Sequence, residues 1–289
     1  MRYRWYAVGV IFTIIIGALL LLSPRQQPSQ TVHVVASIYP YGFLAQAIGD
    51  DDITVSIIVP PGAEAHDFEP SPKDIALLEE ADVVMANGAG IEPWLDEVQK
   101  TRSALQKPTL IMAAGANDPH VWLDPNNMKR FAAALSSELS RIDPQQASSY
   151  KQRAVVLQKK LTALDMRMRQ TLSSCEYTSA IVAHDAFGYF ARTYHLDIIP
   201  IAGISHEDEP SAKKIAELID LARSNEIHAV YFESYADPTL SQTLAQEVGV
   251  ISLPLDPVET ISDDDSTTTN YLTIMEENRK QLQKGLVCQ

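Results

Sequence analysis

The spacing of apolar positions changes period repeatedly along the chain, and each change marks an element. Thr31–Ser37 alternates β-branched with other residues and reads as a strand, followed by a helical stretch over Tyr41–Ile48. Ile53–Val59 is a second strand, closed by Pro60-Pro61-Gly62. Ser71-Pro72 opens a helix, with Ser as N-cap and Pro at the first helical position. Ala81–Ala86 and Thr109–Ala113 are strands, with a helix over Pro93–Gln99 between them. Asp124-Pro125 caps a helix whose apolar face is Met128, Phe131, Leu135 and Leu139. The pattern then recurs. Strands at Ser179–Ala183, Asp197–Ala202, Ala229–Phe232 and Val250–Leu255 alternate with helices at Phe187–Tyr194, Pro210 to about Arg223, Pro238–Val248 and Asn270–Gly285. Strands alternating with helices predict parallel sheets covered on both faces.

One segment breaks the alternation. From Tyr150 the apolar positions are Ala154, Leu157, Leu161, Leu164, Met168 and Leu172, mostly in steps of three and four, with polar residues between. With Asp143-Pro144 as its start signal, this helix spans about Pro144 to Ser173, on the order of 45 Å. Its repeats are few and carry no charged flanking pattern, so it reads as a rigid spine rather than half of a coiled coil. The fold predicted is therefore α/β: two pseudo-symmetric parallel-sheet lobes joined by one long spine helix. The divisions are residues 1–31, an N-terminal leader and linker; 32–143, the first lobe; 144–176, the linking helix; and 177–289, the second lobe. The cleft between the lobes is the expected ligand site.

Composition places the lobes outside the cytoplasm. Arg2 and Arg4 precede the uncharged run Ala7–Leu22, which is long for a signal-peptide core and short for a membrane span. No clean small-x-small cleavage site follows it, which favours an uncleaved signal anchor over a cleaved signal peptide. Either way the arginines stay inside and the remainder is exported. Beyond Arg25 the chain carries 20 basic against 37 acidic residues, a net charge of −17. That excludes nucleic acid and anionic lipid as favoured partners of the lobes. The triplets Asp50-Asp51-Asp52 and Asp263-Asp264-Asp265 read as solvated loops. Cys175 and Cys288 are the two cysteines. Export permits a disulfide between them, pinning the C-terminal helix; the alternative is two unrelated thiols.

Four chemistry-bearing residues follow predicted strand ends. His66 comes after the second strand, His120 after the fourth, His184 directly after Ile181-Val182-Ala183, and Asp256 directly after Leu253-Pro254-Leu255. Ligand crevices in open parallel sheets lie outside the carboxyl ends of the strands, so these four converge if the two edges face each other. Three imidazoles and a carboxylate suit a divalent borderline metal. Zn²⁺ accepts such a set tetrahedrally, whereas Mn²⁺ usually takes more oxygen. His33 and His228 fall in strands and His195 at a helix end, where structural roles are expected. His206 sits in a loop with Glu207, Asp208 and Glu209, a mobile candidate.

The motifs Gly62-Ala63-Glu64-Ala65-His66-Asp67-Phe68-Glu69-Pro70, Asp118-Pro119-His120-Val121-Trp122-Leu123-Asp124-Pro125 and His184-Asp185-Ala186-Phe187-Gly188-Tyr189-Phe190, with Glu209-Pro210-Ser211, resemble the zinc/manganese solute-binding proteins of metal ABC transporters. The resemblance runs from about residue 32 to the end. It implies a monomeric binding protein that delivers its metal to a membrane permease driven by an ATPase. It also implies His66, His120 and His184 as ligands, and a histidine rather than glutamate at the third position points to Zn²⁺. Asp256 is the implied fourth ligand. Glu233, at another strand end, is the implied partner orienting an imidazole, or else the fourth ligand itself. Two departures stand out: the long His- and acid-rich loop of many zinc-specific members is absent between Trp94 and His120, and no lipid-anchoring cysteine accompanies the apolar N-terminus.

Two rival readings share the export signal. An exported zinc hydrolase needs three protein ligands and an open position for water, and no His-Glu-x-x-His or Gly-x-Ser-x-Gly pattern occurs. A metal-dependent surface adhesin is the other, with no adhesion motif to support it.

Overall fold

Among the described residues, eight short strands form two four-stranded parallel sheets with the same internal order. In the first lobe, β1 (Val32–Ala36), β2 (Ile53–Ile57), β3 (Val83–Ala86) and β4 (Thr109–Ile111) stand in the order β2-β1-β3-β4. In the second, β5 (Ser179–Val182), β6 (Asp197–Pro200), β7 (Ala229–Phe232) and β8 (Ile251–Pro254) stand in the order β6-β5-β7-β8. The repeated order is the predicted pseudo-symmetry. This structure, a computed structural model, describes residues 31–204, 210–224, 227–261 and 268–289. The apolar N-terminal run, His206 with its acidic neighbours, and Asp263–Asp265 lie outside the described residues. Residues Val32–Gln289 form one compact unit.

The helices cover the sheets as the hydrophobic spacing requires. In the first lobe they are α1 (Tyr39–Gly49), α2 (Pro72–Glu80), α3 (Leu95–Ala104) and α4 (Pro125–Ile142). Ser71 caps α2 through a reciprocal capping box with Asp74, and Asp124 caps α4 by accepting from Asn126 N–H. The spine is α5 (Ala147–Leu172), and its predicted stripe from Tyr150 to Leu172 is buried. The second lobe adds α6 (Gly188–Tyr194), α7 (Ala212–Ser224), α8 (Thr239–Val248) and α9 (Tyr271–Gly285). One continuous apolar core runs from the β1–β3 side through the spine to Tyr231, Leu253 and Met275 of the second lobe. Smaller clusters fill the outer face of each sheet.

Three expectations need adjustment. The spine begins at Ala147 rather than Pro144, so its 26 residues span about 39 Å. Asp143 ends α4 instead, and its carboxylate accepts from Gln145 N–H and the Tyr150 hydroxyl. Strand two stops at Ile57, although Ile58 and Val59 still donate to Ala36 and Ser37 carbonyls. Asp50–Asp52 is not simply a solvated loop: it forms a 3₁₀ turn whose Asp52 pairs with Arg153 of the spine at 2.5 Å. The same guanidinium donates to the Ile48 and Gly49 carbonyls, so it also satisfies the C-terminus of α1. Cys175 and Cys288 are joined in a disulfide, as expected, tying the end of the spine to the residues after α9.

Candidate metal centre

Each candidate side chain is aimed by a local device. His66 sits in the irregular segment between β2 and α2. That segment turns at Gly62, where φ is +74°, a conformation that disfavours other residues. The Gly62 N–H donates to Thr260 Oγ1 at 2.8 Å and to the Ile261 carbonyl at 3.0 Å, fastening the first lobe to the second. His120 follows Pro119, whose carbonyl accepts from Asn87 Nδ2 at the end of β3. Asp118 accepts from both the backbone N–H and the Nδ1 of His120, at 3.0 and 3.1 Å. The second Asp118 oxygen meets Arg192 of α6 at 3.3 Å, and a side chain at Gly188 would collide with it. His184 follows β5, and its Nδ1 lies 2.5 Å from Glu233, which follows β7. An ionised carboxylate only accepts, so both His120 and His184 carry a proton on Nδ1, which leaves Nε2 as the nitrogen a metal would take.

The fourth side chain at the centre is Glu259, not Asp256. His66, His120, His184 and Glu259 offer ligand atoms that all lie within 4.8 Å of one another. Nε2 of His66 lies 3.2 Å from Nε2 of His120. Glu259 Oε1 lies 3.3 Å from His120 Nε2, 3.4 Å from His184 Nε2 and 4.0 Å from His66 Nε2. Tetrahedral ligands at about 2.0–2.1 Å from a metal stand roughly 3.3–3.4 Å apart; the His66–His120, His120–Glu259 and His184–Glu259 pairs are at that spacing, and His66 stands wider from Glu259. Glu259 is 1% exposed, and neither of its oxygens accepts a hydrogen bond of ordinary geometry. A carboxylate so placed is costly unless a cation completes it.

Asp256 does different work. Its carboxylate accepts from Val258 N–H at 2.6 Å, while Asn278 of α9 clamps its backbone N–H and carbonyl. Val258 then adopts φ +61°, and Trp122 Nε1 holds the Pro257 carbonyl at 2.7 Å. The turn swings the chain back so that Glu259 enters the cleft. Among the described residues the cluster thus holds Glu259 where the sequence led us to expect Asp256, and Glu233 lies behind His184 at its Nδ1 rather than within the cluster. Direct adjacency to the strand was the misleading signal. Asp-Pro after a strand is equally a turn signature, which would have moved attention three residues on to Glu259. His33 bonds Ser56 and His228 stacks on Tyr177, outside the cluster.

The electrostatics describe a cavity built around positive charge. Burial pulls the pKa of His184 down, but the hydrogen bond to Glu233 and the nearby Glu259 carboxylate outweigh it and raise the value to about 9. Burial likewise lowers His120, and the bond to Asp118 with the nearby Glu259 carboxylate reverses the sign, leaving it raised. His66 goes the other way: burial lowers it more than Glu259 restores. Glu259 is pushed up by burial yet held well below the usual carboxylate range by His120 and His184. In the metal-free site, then, imidazolium protons stand where a divalent ion would.

The comparisons point the same way. The model of the ZnuA family, described as zinc-uptake complex component A, periplasmic, matches residues 34–285. The zinc-binding lipoprotein AdcA of Streptococcus pneumoniae is 31% identical over 92% of this chain, which spans 58% of that relative's length. The high-affinity zinc uptake system protein ZnuA of Bacillus subtilis is 30% identical, with 89% of this chain and 88% of the relative covered. The Zn(II)-bound ZnuA-like domain of S. pneumoniae AdcA superposes with a TM-score of 0.79 at 29% identity, covering 89% of this chain and 99% of that one. The laminin-binding protein Lmb of Streptococcus agalactiae, described as having adhesin and metal transporting activity, gives 0.80 at 25% identity, with 88% and 99% covered.

Proposed function

Since the chain belongs to the ZnuA family of zinc-uptake complex components, we propose that it captures one Zn²⁺ outside the cytoplasmic membrane and hands it to an ATPase-driven membrane permease. His66, His120, His184 and Glu259 are the proposed ligands. The observation that carries the reading is the convergence of three imidazoles and one carboxylate, ligand atoms all within 4.8 Å of one another, in a buried cleft. Three nitrogens and one oxygen favour Zn²⁺ over Mn²⁺. We read residues 32–143 and 177–289 as the two lobes and 144–176 as the link between them.

Asp118 and Glu233 fix two of the rings with Nε2 inward, so capture needs little rearrangement on that side. Four protein ligands close the site against a catalytic water, which argues for binding over hydrolysis. The adhesin reading draws on a likeness to laminin-binding proteins such as Lmb, whereas the buried cluster supports metal capture. Competitive titration of Zn²⁺ against Mn²⁺, with elemental analysis, tests the proposal: one Zn²⁺ per chain held in preference to Mn²⁺ supports it. Preference for Mn²⁺, or no bound metal, contradicts it.

A further inference from the structure

We infer that Zn²⁺ enters and leaves this site past His66, through the cleft in front of the β2–α2 segment. The inference rests on the proposed zinc site and adds its route. His120 and His184 are 0% exposed and Glu259 is 1% exposed, while the His66 side chain is 8% exposed. A cleft of about 570 Å³ is lined by His66, Asp67, Phe68, Glu69, Pro93 and Trp94, and of the four ligands it contains His66 alone.

The anchoring of the four residues is just as uneven. His120 is held by Asp118 and His184 by Glu233. Glu259 sits on a loop tied down by Asn278, Trp122 and Gly62. The contacts of His66 within the cluster are all made through Nε2, and among the described residues no carboxylate holds its Nδ1. Its segment has no helical or strand ladder between Gly62 and Pro72. A ring that is partly exposed, with no carboxylate at its Nδ1 among the described residues, and carried on irregular backbone tied through Gly62 and Glu64, can swing aside without disturbing the other three. His66 is thus the last ligand to close on the ion and the first to release it. Asp67 and Glu69, both exposed on the lip of the cleft, give an arriving cation a favourable field.

The test is to obstruct the route without touching a ligand. Glu69→Cys, labelled with a bulky maleimide, is compared with Met166→Cys carrying the same label on the exposed face of the spine. Zinc uptake is followed by stopped flow, and release by chelator competition. Relative to unlabelled Glu69→Cys, which already lacks the lip charge, the label is expected to slow association and dissociation by the same factor, about tenfold or more, leaving Kd unchanged, because a barrier on the path alters rates alone. The Met166 label is expected to change neither rate. Unaltered rates with the Glu69 label would overturn the route. A wild-type protein that takes up no zinc would instead defeat the underlying site.

Discussion

At the scale of single residues, the distinction between Glu259 and Asp256 has the largest consequences. Glu259→Gln keeps the shape but removes the charge among three imidazoles. Its zinc affinity is expected to fall beyond the ~10–100-fold typical of an orienting residue, and Glu233→Gln to fall within that range. Asp256→Asn retains an acceptor for Val258 N–H and is expected to bind zinc nearly as wild type. Isothermal titration of the three variants separates these roles, and an Asp256→Asn defect matching that of Glu259→Gln would reverse the assignment. The raised pKa values of His184 and His120 also fix a pH signature. A group raised on folding stabilises below its unfolded value, near 6.5, and loses that contribution as pH rises toward about 9 for His184. Zinc needs those same nitrogens bare, so its affinity rises over the same interval. Thermal melts from pH 6.5 to 9 should therefore show the metal-free protein losing stability while the increment from zinc grows.

At the scale of elements, much was legible in the sequence. The β-branched runs fixed all eight strands, and the steps of three and four from Tyr150 to Leu172 fixed the buried stripe of α5. Ser71 and Asp124 announced their helices by capping chemistry that depends only on near neighbours. The misses share a physical origin in contacts between distant parts of the chain. Asp143-Pro144 looked like a helix start, yet α4 and the turn after it claimed the aspartate. The 200-residue separation between Pro60 and Thr260 hid the fastening that places Glu259 beside His66. Arg153 is another such long-range tie, and Arg153→Ala is expected to cost about 2 kcal/mol through the unsatisfied end of α1, measured by chemical denaturation. The disulfide was anticipated from export alone. Its loop of 113 residues suggests that replacing both cysteines with serine costs roughly 2–4 kcal/mol, with zinc stoichiometry unchanged.

For the whole molecule, the decisive feature is that one apolar core passes through the spine into both lobes. Lobes sharing a core cannot swing widely apart without exposing it. Capture is therefore expected to involve the His66 segment and small adjustments at the Asp118–Arg192 contact. X-ray scattering profiles with and without zinc should nearly superimpose, and a large compaction on binding would count against this.

The central claim is a closed four-ligand site joining the two lobes. Anomalous diffraction at the zinc edge from crystals of the zinc-loaded protein tests it most directly. One peak is expected, bonded to Nε2 of His66, His120 and His184 and to the carboxylate of Glu259, at about 2.0–2.2 Å. A peak bonded to Asp256, or one completed by water with Glu259 turned away, would contradict it.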